Sequence, residues 1–266
     1  MSILQALLLG LLQGAAEFLP VSSSGHLVLA RTLMGLDDIP VLFDVLLHLA
    51  TLGVVMWVFR ARIAVILGAV MRLLRRRSRG DDRPVLILAL RLITASAITA
   101  LLGTALQQLN FANPPALVGL CFILTAAVLL STRWCRGTRP LEGIDIRRSL
   151  VLGAAQGAAV LPGISRSGIT IAAGLLLGLD RKAAGEFSFL LSIPAVIGAF
   201  LFSLKDVAEL IPAVPPASAA AGFLAALASG YASLKLLLFL MNSGRIRLFA
   251  LYLLPMGIWV LLRFAG

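Results

Sequence analysis

Charge is scarce in this chain: Asp, Glu, Lys and Arg make up 13% of its 266 residues, and 60% are apolar. Globular chains average roughly 25% charged and 45–50% apolar residues. A soluble chain of this length could not cover itself with so little polar surface. Soluble enzymes and disordered chains are therefore excluded, and a mean hydropathy of +1.01 points to a polytopic membrane protein. Cysteine is nearly absent as well. The two present, Cys121 in an apolar run and Cys135 in a basic stretch, exclude a disulfide scaffold and match no zinc or redox spacing. Both are read as free thiols.

Acidic residues number 12 against 23 Lys and Arg, a net charge of +11. Such an excess can mark a nucleic-acid partner, but its distribution argues otherwise. Eight basic residues lie between Arg60 and Arg83 and five more between Arg133 and Arg148, both groups beside long apolar runs. This is the pattern of cytoplasmic loops, within reach of anionic headgroups. The expected partners are membrane lipids, with no nucleic acid. No basic residue precedes Arg31, so no cleaved signal peptide is expected.

A spanning helix needs about 20 apolar residues. Val41–Phe59, Val85–Leu106, Ala116–Thr132, Phe187–Leu204, Ala217–Leu240 and Leu248–Leu262 qualify or nearly so. Ile63–Leu74 is apolar but short, and either extends a neighbouring span or lies at the interface. Loop signals stand at 75–84, 110–115, 136–143 and 212–216. Lipid admits only helices and closed barrels, and the long runs exclude the alternation of a barrel. The predicted fold is an all-α polytopic integral membrane protein, one membrane domain over 1–266, with basic cytoplasmic loops near 72–84 and 133–148.

Two apolar regions are interrupted, by QGAAEFLPVSSSGH at 13–26 and by QGAAVLPGISRSG at 156–168. Irregular backbone at membrane depth is tolerated only when buried in protein or lining a wet cavity. Both are read as broken or re-entrant helices meeting at a polar site. They are also copies. Aligned without gaps at an offset of 143, Gln13–Gly25 and Gln156–Gly168 are identical at seven of 13 positions. The likeness resumes at Gly35-Leu36-Asp37 against Gly178-Leu179-Asp180. This is an internal duplication, approximately 1–132 and 149–266, read as an inverted repeat by analogy. Paired interrupted segments point to a midplane site at the repeat interface.

Ionisable residues inside a membrane segment are expensive, and each is a functional candidate. Glu17 is the only acid among the first 30 residues. Gln13 lies one helical turn earlier on the same face, and the two oxygen-bearing side chains suit a hard divalent cation, Mg²⁺ or Ca²⁺. Ser22, Ser23, Ser24 and Gly25 then precede an apolar helix whose N-terminus attracts phosphate. His26, one of two histidines, is read as an acid–base group. In the second copy Ser165, Ser167 and Gly168 repeat the pattern, while Arg166 stands where the first copy has Ser23 and offers a permanently charged fork suited to phosphate. A plain ion pair with Glu17 is the alternative for Arg166. Asp44, His48 and Glu186 are weaker candidates, outside the first contact layer or at the membrane edge. Asp37, Asp38, Asp180, Arg181 and Lys182 are read as interfacial. Together these groups suit phosphoryl transfer to serine or water, on a phosphate whose lipid tail stays in the membrane.

The pattern Q-x-x-x-E-F-L-P-V-S-S-S-G-H at 13–26, with P-G-x-S-R-S-G at 162–168, resembles the bacterial undecaprenyl-diphosphate phosphatase family of the bacitracin-resistance type, over essentially the whole chain. The resemblance implies a metal-dependent phosphatase of the bacterial inner membrane. It would remove one phosphate from undecaprenyl diphosphate, a polyprenyl diphosphate, regenerating the carrier lipid of peptidoglycan synthesis, at a site facing the outer side. It assigns Glu17, Ser23, His26 and Arg166 to catalysis, with Ser23 as the proposed nucleophile. Ser22, Ser24, Gly25, Ser165, Ser167 and Gly168 fall to substrate binding. Gln13 stands where many members carry another glutamate, which removes one charge from the metal site. Type-2 phosphatidic acid phosphatases also carry S-G-H and S-R stretches, but need a further histidine, and none follows His48. The duplication admits a second expectation, a polyprenyl-phosphate flippase that hydrolyses nothing. A homodimer is left open.

Overall fold

A computed structural model describes residues 1–36, 38–109, 114–135 and 137–264. Asp37, residues 110–113 of the 110–115 loop and Arg136 lie outside the described residues. Among the described residues the chain is helical throughout, with no strand. In chain order the helices are α1 (Ile3–Phe18), α2 (Ser23–Met34), α3 (Val41–Val58), α4 (Arg60–Leu74), α5 (Asp82–Gln107) and α6 (Pro114–Ser131). They continue with α7 (Ile146–Ala158), α8 (Arg166–Leu176), α9 (Arg181–Ser203), α10 (Val207–Ala213), α11 (Pro216–Asn242) and α12 (Ala250–Phe264).

Six stretches are long and apolar enough to cross a membrane: Val41–Val58, Asp82–Gln107, Pro115–Trp134, Arg181–Ala213, Pro216–Asn242 and Ile246–Phe264. They coincide with the six runs expected from sequence. Ile63–Leu74 belongs to a separate helix, α4, in which Ala69 alone is buried. The four helices around the two interruptions are different. With 16 residues, α1 rises about 24 Å, less than the roughly 30 Å of a hydrocarbon core, and α2, α7 and α8 are shorter still.

The interruptions are narrower than expected. The sequence predicts an interruption from Gln13 to His26, yet α1 continues through Gln13, Gly14, Ala15, Ala16 and Glu17 to Phe18. Gln, Ala and Glu are good helix formers. The break comes at Leu19, whose extended backbone (φ −60°, ψ 139°) is the conformation favoured before Pro20. Likewise α7 runs to Ala158, and the chain is irregular only up to Ser165. This matters for the site, because Gln13 and Glu17 are thereby held one turn apart on a rigid helix.

Small residues bring the helices close, the usual device where lipid supplies no hydrophobic drive. Gly10 lies against the backbone of Gly222 where α1 meets α11, Gly153 against Ala95 where α7 meets α5, and Gly257 against Gly119 where α12 meets α6. Ser233 Oγ donates to Gly14 O at 2.5 Å, tying α11 to α1 beside the functional face. Phe18, at the end of α1, meets Phe189 of α9 edge-on at 5.8 Å.

Candidate active site

The two irregular turns touch. Each ends in a serine that caps the next helix: Gly25 N donates to Ser22 Oγ at 3.3 Å, and Gly168 N to Ser165 Oγ at 3.1 Å. A Cβ added to Gly25 would lie 2.8 Å from Gly163 Cα and 2.6 Å from the Phe122 ring, so only glycine permits the approach. Gly163 also has a φ of +97°, which favours glycine over any L residue. Thr125 of α6 clamps the second turn, accepting from Ser165 N at 3.2 Å and donating to Gly163 O at 3.3 Å.

Glu17 is the hub. It is 6% exposed, at the last turn of α1. Its Oε1 pairs with the Arg166 guanidinium, delivered by the first residue of α8. Its Oε2 accepts from Ser23 Oγ at 2.5 Å, delivered by the first residue of α2. The same oxygen accepts from Gln13 Nε2 at 2.9 Å and lies 3.1 Å from His48 Nδ1 of α3. Gln13 is fully buried and its Oε1 has no partner. Residues of α1, α2, α3 and α8 thus converge on one carboxylate. Among the described residues no group of three or more His, Cys, Asp or Glu side chains gathers as a metal cluster. The donors here are one carboxylate, one imidazole and one amide.

Glu17, Ser23, Ser24, His48, Ser165 and Arg166 all line the polar end of a cavity of about 1050 Å³. The rest of its wall is mainly apolar and comes from α4, α5, α7 and α9, including Ile66, Leu67, Leu92, Ile93, Ile193 and Phe202. The arrangement suits an anionic head with a long apolar tail.

Several expected residues sit elsewhere. His26 is not among the residues lining the cavity. Its Nδ1 lies 2.8 Å from Ser22 O, where it can only donate, and its Nε2 lies 2.7 Å from Tyr252 Oη. Its ring stacks with Tyr252 and tilts against Phe122. Asp44 turns to Arg31, 2.6 Å away, and Glu186 to Arg62 at 2.5 Å. Gln156, the repeat partner of Gln13, donates to Leu191 O at 3.1 Å and lines the cavity. Ser167 Oγ lies 3.3 Å from Ser165 Oγ and is buried.

Sequence reasoning underrated His48 and did not single out Thr125 or Tyr252. For Tyr252 a signal existed, since it is one of two tyrosines in the chain and stands in an apolar run. Nothing marked Thr125, a single hydroxyl in a helix, because only the packing of α6 against the second turn gives it partners.

The model of the family "Bacitracin resistance protein BacA" matches residues 6–259. Three relatives, each named undecaprenyl-diphosphatase, match over nearly their whole length. The protein of Treponema denticola is 41% identical over 266 residues, covering 100% of this chain and 99% of its own. That of Desulfosudis oleivorans is 42% identical over 272 residues, covering 98% and 99%. That of Methanobrevibacter smithii is 38% identical over 270 residues, covering 98% and 97%.

Proposed function

The chain belongs to the bacitracin resistance protein BacA family, and from that premise we propose that it hydrolyses undecaprenyl diphosphate to undecaprenyl phosphate and inorganic phosphate. The observation that carries this reading is the convergence of Ser23, Arg166 and Glu17 at the polar end of a largely apolar cavity. The lipid tail occupies the groove and the diphosphate meets Arg166, whose planar fork matches phosphate oxygens. Positioning and neutralisation of charge are most of what phosphoryl transfer requires.

Glu17 holds the Ser23 hydroxyl by its hydrogen and can take that proton. Ser23 Oγ then bonds to the terminal phosphorus, the bridging P–O bond breaks, and undecaprenyl phosphate leaves. Water attacks the serine phosphate, orthophosphate departs and Ser23 recovers its proton. Arg166 neutralises the oxygens in both steps. Gln13 is buried beside Glu17, its Nε2 donating to the carboxylate and its Oε1 without a partner; with this amide turned over, Glu17 and Gln13 would hold a divalent cation. When bound, such a cation neutralises phosphate charge. His26 has a supporting place in this reading: it ties Ser22, and with it the start of α2, to Tyr252.

The duplicated segments are read as an inverted repeat meeting at this site. The arginine-rich stretches mark the cytoplasmic face, and the site opens toward the outer side of the bacterial inner membrane. The test is phosphate release by detergent-purified protein from undecaprenyl diphosphate, with Mg²⁺, with Ca²⁺ and with chelator. Glu17→Ala is expected to lower turnover by at least about 100-fold. A folded wild-type protein that releases no phosphate under any of these conditions, or a Glu17→Ala variant with wild-type turnover, sinks the reading.

A further inference from the structure

We propose that His48 completes, with Glu17 and Gln13, the protein's ligand set for a divalent cation, adding one imidazole nitrogen to two oxygens. The proposal rests on the reading above that Glu17 and Gln13 hold a divalent cation.

Three polar atoms form a triangle. Gln13 Nε2 lies 2.9 Å from Glu17 Oε2 and 2.7 Å from His48 Nδ1, and His48 Nδ1 lies 3.1 Å from Glu17 Oε2. Hydrogen bonds alone cannot satisfy all three edges. The Gln13 edge needs a bare Nδ1 to accept, whereas the Glu17 edge needs a protonated Nδ1 to donate. Whichever tautomer is present, one edge sets two like atoms face to face. Meanwhile the amide oxygen of Gln13, fully buried, has no partner. The two ends of an amide are assigned from their surroundings. Turning this amide over brings its oxygen to the triangle. The corners are then a carboxylate oxygen, an amide oxygen and an imidazole nitrogen, three lone pairs facing one point. Only a cation at that point satisfies them together.

The three side chains approach within 3.1 Å of one another, close enough to bind one cation together. Mn²⁺ takes oxygen donors as Mg²⁺ and Ca²⁺ do, and its unpaired electrons report a coordinating nitrogen. His48 lines the cavity with a quarter of its side chain exposed to it, so the remaining positions face the substrate head. Arg166 already balances Glu17, and the added charge of the cation is matched by the diphosphate.

The test therefore includes a diphosphate. Wild type, His48→Gln and His48→Ala are purified in detergent and loaded with Mn²⁺ and farnesyl methylenediphosphonate, which cannot be hydrolysed. Pulsed electron paramagnetic resonance is expected to show a nitrogen coupling to Mn²⁺ in the wild type and in neither variant. Mn²⁺ affinity should fall roughly tenfold or more in the variants. His48→Gln preserves a polar side chain and serves if His48→Ala does not fold. No Mn²⁺ binding, no nitrogen coupling in the wild type, or a coupling that survives both substitutions overturns the proposal. Phosphate release without the coupling rejects His48 alone. The coupling without phosphate release keeps His48 as a ligand and rejects the phosphatase reading.

Discussion

Glu17 divides its two oxygens between different tasks. Oε1 faces the permanent charge of Arg166, and Oε2 faces the hydroxyl, amide and imidazole of Ser23, Gln13 and His48. A carboxylate this buried is held by its partners, and removing one partner of a buried pair costs about 3–5 kcal/mol. Arg166→Met should therefore lower the unfolding temperature in detergent distinctly. The double variant Glu17→Gln/Arg166→Met should recover most of that loss, because neither charge then remains alone, although it should release no phosphate. A single Arg166→Met variant that melts with the wild type would mean that cavity water, not the pair, holds Glu17. Asp44, the other acid candidate on this side, pairs through Oδ2 with Arg31, while its buried Oδ1 has no partner.

Short helices carry the chemistry, and each depends on its ends. Asp145 caps α7, which delivers Gln156 to the cavity wall. Arg148 N donates to its carboxylate at 2.9 Å, and the Arg148 guanidinium pairs with it. The backbone N–H of Arg148 above all, with the charge of its side chain, holds the Asp145 carboxyl below the ordinary aspartate range. The folded value is depressed, so the stabilisation is complete above the unfolded value of about 3.9 and disappears as pH falls through the folded one. Asp145→Asn keeps a good cap but not the charge. Wild type should be the more stable at pH 7 and the gap should close in acid, as read by thermal unfolding at both pH values. An equal gap at both would assign the effect to something other than ionisation.

Over the whole molecule, a polar pocket of a few side chains sits at one end of a long apolar groove between α4, α5, α7 and α9. If the groove holds the lipid tail, narrowing it should penalise long substrates selectively. Ala100 of α5 lines it. Ala100→Trp should lower kcat/KM for undecaprenyl diphosphate roughly tenfold or more, since each displaced methylene forfeits about 0.8 kcal/mol. Phosphate release from isopentenyl diphosphate should change little. Equal losses with both substrates would place the tail elsewhere.

Composition and hydropathy alone determined that the chain is helical and multi-pass, because a bilayer leaves few alternatives to runs of this length. The motif residues Glu17, Ser23 and Arg166 were legible for a related reason: charge and hydroxyls in an apolar run are too costly to be idle. Where α1 breaks was legible in Pro20 but masked by the polar letters before it, which a helix accepts readily. Only the tertiary structure decided which histidine faces the cavity. His26 follows the serines in sequence, but one turn of α2 carries it to Ser22 O and Tyr252. His48 lies far along the chain, and the packing of α3 against α1 brings it to Glu17. Spacing along a helix is local and can be read from letters. The direction in which a neighbouring helix presents its side chains is set by close contacts between elements distant in sequence, and a single sequence does not carry them.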